Sequence, residues 1–369
     1  MIRKLLTGAA LAVWIGAAPG ALAQGAAPAG YPASYTELVE ASKKEPSLLV
    51  YSVMAPFNWK PVLDGFQRKY PWIKVETLDL AAQLWDRFYT EKANNARTAD
   101  MIATLGVDRW IEFNGKGEVL DYKSPEDAAL PAWAKPMPGV YALSADPLIN
   151  VWNKRLVPAG KRMDTMKAVL DFALEQGDKA KGKLTTFDGG VAPLFGAWFH
   201  GWSLAYRGEG DIWQITGKLA PFSRYERSGG AMLEKLLSGE YAVAYLTSAI
   251  TIYPKVASGA AKSLLEWSFV MDGQPLFPRA MAVTKIAKAP ASAKLLLDHI
   301  LTKEGQIAFS QGGLTPVRMD IKAGEIPYPT LSEIYAAVGE KNIGVLEFSD
   351  KNAAEILKAV GRFKEVTGR

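Results

Sequence analysis

The chain has 369 residues, of which 49% are hydrophobic and 11% aromatic, a composition that excludes a disordered polymer and is long enough for two lobes. Its formal charge of +5 is spread without a block of five or six like charges, which argues against nucleic acid as a partner. The lack of cysteine excludes disulfides, thiol chemistry and the commonest structural zinc ligands.

The first 23 residues read as a secretory signal. Arg3 and Lys4 form a basic head, Leu5 to Leu22 is apolar or small, and Ala21-Leu22-Ala23 offers a small-x-small cleavage site. Residues 24–34 read as a flexible leader. No later apolar run reaches the ~18 residues that a membrane span needs, so a soluble, exported protein is expected.

Globular pattern begins at Tyr35. The reading predicts a helix over 35–44, a strand over 48–51, then a loop Ser52 to Asn58 with Asn58 as a helix cap. Trp59, Val62, Leu63, Phe66 and Tyr70 recur at helical spacing. Pro71 stops that helix before a strand over 73–78. A helix over 82–95, a strand over 100–105 and a helix over 108–116 continue the alternation. Such alternation means a mostly parallel sheet covered on both faces, with ligands held beyond the carboxyl ends of its strands. The loops at 52–58 and at Leu105-Gly106 sit at two such ends.

Between Asp121 and Pro147 five prolines mark an irregular approach to a lobe crossing. A second alternating set follows: a helix over 166–175, a strand over 183–187 ending in the turn Asp188-Gly189-Gly190, a helix over 228–237 and a strand over 241–246. Residues 267–283 read as the return crossing, with amphipathic helices over 291–301 and 353–363.

The segments Leu49-Val50-Tyr51-Ser52, Phe66 to Glu76, Thr98-Ala99-Asp100, Val151-Trp152-Asn153-Lys154, Gly182-Lys183-Leu184, Ser238 to Val243, Lys303 to Gln306 and Gly312 to Arg318 occur in that order. Together they resemble the periplasmic extracellular solute-binding family of ABC transporters, the group that includes ferric-iron and spermidine/putrescine receptors. The resemblance implies an α/β type II periplasmic-binding-protein fold, with two α/β lobes joined by crossing hinge strands. It places lobe 1 at 35–140 with a return segment at 270–318, and lobe 2 at 141–269 with C-terminal helices over 319–369. It also implies a monomer in the periplasm that closes on a small-molecule solute and hands it to an inner-membrane ABC permease, without a cofactor or catalytic step. The chain departs from iron-binding members in having no adjacent tyrosine pair, which favours an organic solute or a metal complex over direct ferric coordination.

Candidate ligand residues follow from these strand ends. Ser52, Asn58, Trp59, Leu105 and Gly106 belong to the first lobe. Asp188, Tyr245 and Thr247 belong to the second, the last two expected to face the cleft. Arg279 in the return crossing could clamp a carboxylate or phosphate at two points, with Arg224 as a further candidate of that kind and Arg318 as a structural residue. Trp198 is a further aromatic of interest.

Two alternatives stand beside the receptor reading: the same scaffold serving a membrane sensor kinase, and a secreted hydrolase. The second rests on Gly201-x-Ser203-x-Ala205, close to a nucleophile elbow, with His200 or His299 as base. No phosphate loop, dinucleotide fingerprint, H-E-x-x-H or EF-hand pattern is present.

Overall fold

The computed structural model describes residues 28, 30–80, 83–257 and 259–369; the signal segment and most of the leader lie outside the described residues. Helix α1 (Tyr35–Ser42) precedes strand β1 (Leu48–Ser52), then come α2 (Pro56–Lys69), β2 (Val75–Asp79), α3 (Leu84–Ala93), β3 (Met101–Thr104) and α4 (Val107–Gly115). Strand β4 (Tyr141–Asn153) leads through α5 (Met166–Gln176), β5 (Leu184–Phe187), α6 (Pro193–Ala205), α7 (Ile212–Leu219), β6 (Ser223–Glu226) and α8 (Gly229–Ser238) to β7 (Val243–Ser248). The remainder is α9 (Ala249–Val256), α10 (Gly259–Leu264), β8 (Leu265–Phe269), β9 (Gln274–Val283), α11 (Pro290–Leu301), α12 (Lys303–Ser310), α13 (Leu331–Val338), β10 (Ile343–Val345) and α14 (Asp350–Thr367).

The strand order is β2-β1-β3-β9-β4-β7-β5-β6, with β10 beside β9 and β8 beside β4. This is two sheets sharing long strands. In the first, β1 pairs parallel with β2 and β3, and β9 runs antiparallel to β3. In the second, β5 pairs parallel with β6 and β7. Strand β4 serves both: Tyr141 to Pro147 pair with β9, whereas Leu148 to Asn153 pair with β7 and β8. All thirteen residues of β4 and all ten of β9 are buried, as expected of strands covered on both faces.

The sequence placed Asn58 at a helix cap, and the structure corrects this. Ala55, in extended backbone, takes the cap position with Pro56 as the first helical residue. That arrangement suits proline, whose missing N–H has no intrahelical partner there and whose fixed φ is helical.

The elbow-like stretch around Ser203 lies deep in α6, ten residues beyond its first residue Pro193 and not at the turn that follows β5. Gly196 and Gly201 let it pack closely: a Cβ at the first would fall 2.5 Å from the Val360 side chain of α14, and one at the second 2.6 Å from the Phe277 ring of β9. Helix α14 lies against α6 and α7 and also reaches α4, tying the C-terminus across both sheets. No described helix is long and apolar enough to cross a membrane.

Candidate functional site: the floor between the two sheets

The parallel strands of both sheets end at one gap. Strand β3 finishes at Thr104, which pairs with Ala280, and β7 finishes at Ser248, which pairs with Leu148. Between those limits β4 and β9 run on past the ends of β3 and β7, with β10 beside β9 only as far as Leu276, so residues 144–147 and 277–279 form the floor between the two sets of strand ends. Arg279 pairs there with Asp146: Nη2 donates to Oδ2 at 2.8 Å and Nε to the same oxygen at 3.2 Å. Ser144 sits opposite Arg279 in the register, and Asp146, two residues on, shares its face.

The pair is 3% and 2% exposed, and it is incompletely bonded. Among the described residues, Arg279 Nη1, Asp146 Oδ1 and Ser144 Oγ have no hydrogen-bond partner. Buried polar groups left in that state cost roughly 1–3 kcal/mol each. Thr315 and Thr247 add two more buried hydroxyls without partners; the Thr315 carbonyl accepts the Ala145 N–H at 2.9 Å, which fixes that loop against the free edge of β4.

The first-lobe residues singled out in the sequence mainly brace their own loop. The Ser52 hydroxyl accepts from Trp59 Nε1 at 3.0 Å and from the Met54 N–H at 3.3 Å, and Trp59 packs on Phe309. Asn58 Nδ2 donates to the Gly312 carbonyl at 2.6 Å. Its neighbour Phe57, in the first turn of α2, is 53% exposed. Gly106 has φ +112°, in the region that favours glycine, and caps α4, while Leu105 packs against the core of the second lobe.

In the second lobe, Asp188 accepts the Gly190 N–H at 3.3 Å and pairs with Arg369 at 3.1 Å. Tyr245, expected to face the cleft, is fully buried. Its hydroxyl bonds Ser223 Oγ at 2.9 Å inside the lobe, and burial raises its pKa well above the usual tyrosine value. Thr247 is fully buried at the strand end. Between them Leu246 has φ +50°, and its N–H donates to Asn150 Oδ1 at 3.1 Å, so the strand kinks where simple alternation was expected.

Arg279, expected as a clamp for an anion, lies within β9 with its charge already offset by Asp146. Asp146 and Ser144 were missed because Tyr141 to Pro147 read as irregular approach; the one acid inside a thirteen-residue buried run was the signal. Arg318 is structural as expected, bonded to Asp320, Glu126 and the Leu301 carbonyl. Trp198 packs on Phe277 at 4.5 Å between ring centroids.

Ser203 stands inside α6 and donates to the His200 carbonyl at 2.6 Å, while His200 Nε2 lies 3.0 Å from Asn352 Oδ1. Mid-helix backbone N–H groups are already bonded, so nothing there forms an oxyanion hole. His299 is buried against Phe66, and burial first, then the Lys69 charge, lowers its pKa to about 4.

A cavity of about 540 Å³ lies elsewhere, along β6, lined by residues such as Arg224, Tyr225, Lys235 and Glu240. The two places compete as candidate sites. The floor is the stronger, because its open polar atoms are buried, whereas Lys235 of the cavity is already paired with Glu226 at 2.9 Å and Glu240 at 3.4 Å. Among the described residues no three His, Asp or Glu side chains gather as metal ligands.

No family model matches the sequence, and no curated protein matches it. Solved structures do. A substrate-binding protein of an ABC transporter from Agrobacterium tumefaciens superposes with a TM-score of 0.76 at 20% identity, covering 88% of this chain and 95% of that one. AfuA from Actinobacillus pleuropneumoniae, with fructose-6-phosphate bound, gives 0.66 at 18% identity over 87% and 98%. Iron-bound HitA from Pseudomonas aeruginosa gives 0.66 at 16% identity over 87% and 99%. The fold is the type II periplasmic-binding-protein fold, two α/β lobes joined by crossing strands.

Proposed function

We propose that this protein is a solute receptor of an ABC uptake system, working in the periplasm after its signal segment is removed, as a monomer that delivers its guest to a membrane permease. The observation that carries the reading is the pair of crossing strands with buried, half-bonded polar groups where both sheets end. Contacts from both lobes to one solute favour the closed arrangement, a population shift that needs no covalent step. Micromolar affinity is about 8 kcal/mol, within reach of a few charge-assisted hydrogen bonds in a dry site.

The likeness to ABC-transporter binding proteins supports this role, and the helical setting of Ser203 weighs against the hydrolase alternative. The test is a thermal-shift screen over sugars, carboxylates, phosphate esters, polyamines and ferric complexes, followed by X-ray scattering. A hit should raise Tm and shrink the radius of gyration. A protein whose melting and shape ignore every solute would overturn the reading.

A further inference from the structure

Resting on the floor as the solute site, we infer that the guest is a neutral, hydroxyl-bearing solute, a sugar or polyol, gripped by Asp146, Arg279 and Ser144. The guanidinium gives both Nε and Nη2 to one oxygen, Asp146 Oδ2, at 3.2 and 2.8 Å. What remains is a donor, Arg279 Nη1; an acceptor, Asp146 Oδ1; and a group able to do either, Ser144 Oγ. All three residues are buried.

A hydroxyl both donates and accepts. Two neighbouring hydroxyls on one solute therefore satisfy Nη1 and Oδ1 together. A carboxylate or phosphate ester has only acceptor oxygens once ionised. It would satisfy Nη1 and set a second negative charge beside Oδ1, where a low dielectric magnifies the repulsion. The pair itself is neutral, so the floor has no net charge for an anion to cancel. Further hydroxyls point the same way. The Thr315 hydroxyl is buried and, among the described residues, unpartnered near Ala145, and the Tyr253 hydroxyl, also unpartnered there, is raised in pKa by burial and then by the Asp146 charge. The pair is almost wholly covered, so a solute reaches it when the lobes part.

Calorimetry at neutral pH tests this with three probe sets: glucose, mannitol and myo-inositol; acetate, succinate and methyl phosphate, which carry no alcohol hydroxyl; and glycine and glutamine. A neutral hydroxylated probe should bind, with the same affinity at about 20 and about 500 mM salt because no net charge is captured. Its affinity should fall by about tenfold or more in Asp146→Asn and Arg279→Met, which each remove a charged hydrogen-bonding partner, and about threefold or more in Ser144→Ala.

Binding by the anions alone, tightened by Asp146→Asn, overturns the inference and leaves the receptor reading standing, as does binding by the amino acids alone. If the two charge variants fail to melt cooperatively, Ser144→Ala decides, since it keeps the ion pair: unchanged affinity overturns the inference. A folded protein that binds none of the probes loses this inference, and one that also ignores the wider solute screen loses the receptor reading too.

Discussion

Two buried carboxylates, one in each setting, are handled in opposite ways. Asp298 on α11 has no cation in contact among the described residues, yet three hydroxyls donate to it: Tyr35 at 3.0 Å, Tyr122 at 2.6 Å and Ser124 at 2.6 Å. Asp146 has a cation in contact and keeps one oxygen open. The first is completed by its own chain and pins α1 and the 122–124 loop to α11. The second is completed only from outside. A charge the protein satisfies by itself is architecture; a charge it leaves half satisfied at a crevice marks a place for a guest.

The comparison can be broken most forcefully at Arg279. Arg279→Ala strands a buried carboxylate without its cation and should cost about 3–5 kcal/mol in urea unfolding. A loss below about 1 kcal/mol would mean that Asp146 reaches water.

At Asp298 the expected effect is a pH dependence. Burial lifts its pKa from 3.8 to about 6, and the three hydroxyls only partly counter this. The folded state therefore holds a proton that the unfolded state releases earlier. Asp298's contribution is fully present below about pH 4 and is lost as pH rises through about 6, a swing of up to about 3 kcal/mol. Asp298→Asn should flatten that part of the stability curve, and an unchanged slope between pH 4 and 6 would refute the assignment.

The smallest effect belongs to Tyr245. Tyr245→Phe removes its bond to Ser223, which still donates to the Leu219 carbonyl at 2.9 Å, so about 1 kcal/mol of stability is expected to go with solute affinity intact. Loss of affinity without loss of stability would return Tyr245 to the crevice.

The legibility of these regions differs for physical reasons. Strands β1 and β3 were plain in the sequence because each is a short apolar run bounded by turn residues. Helix α6 was not read as a helix: its apolar residues go nearly all round, so there is no polar face for a 3.6-residue period to reveal. Strand β4 was half hidden by Asp146 and Pro147, residues that look like loop signals until β9 is seen beside them. The side to which Tyr245 points was illegible because β7 is buried on both faces, and the turn at Leu246 spoils the alternation. Arg279 was found by its position beside an expected crossing; its partner lies 133 positions away in sequence, beyond the reach of any local pattern.

The shared strands also set a timetable. Strand β9 is the neighbour that β3 and the first half of β4 need, yet it arrives more than 170 residues after β3 in the chain. Any route that supplies the polypeptide from its N-terminus leaves the first sheet with a missing middle until residue 283 has been delivered. Assembly should therefore be late, slow and all at once, with the leading half exposed to chaperones and proteases meanwhile.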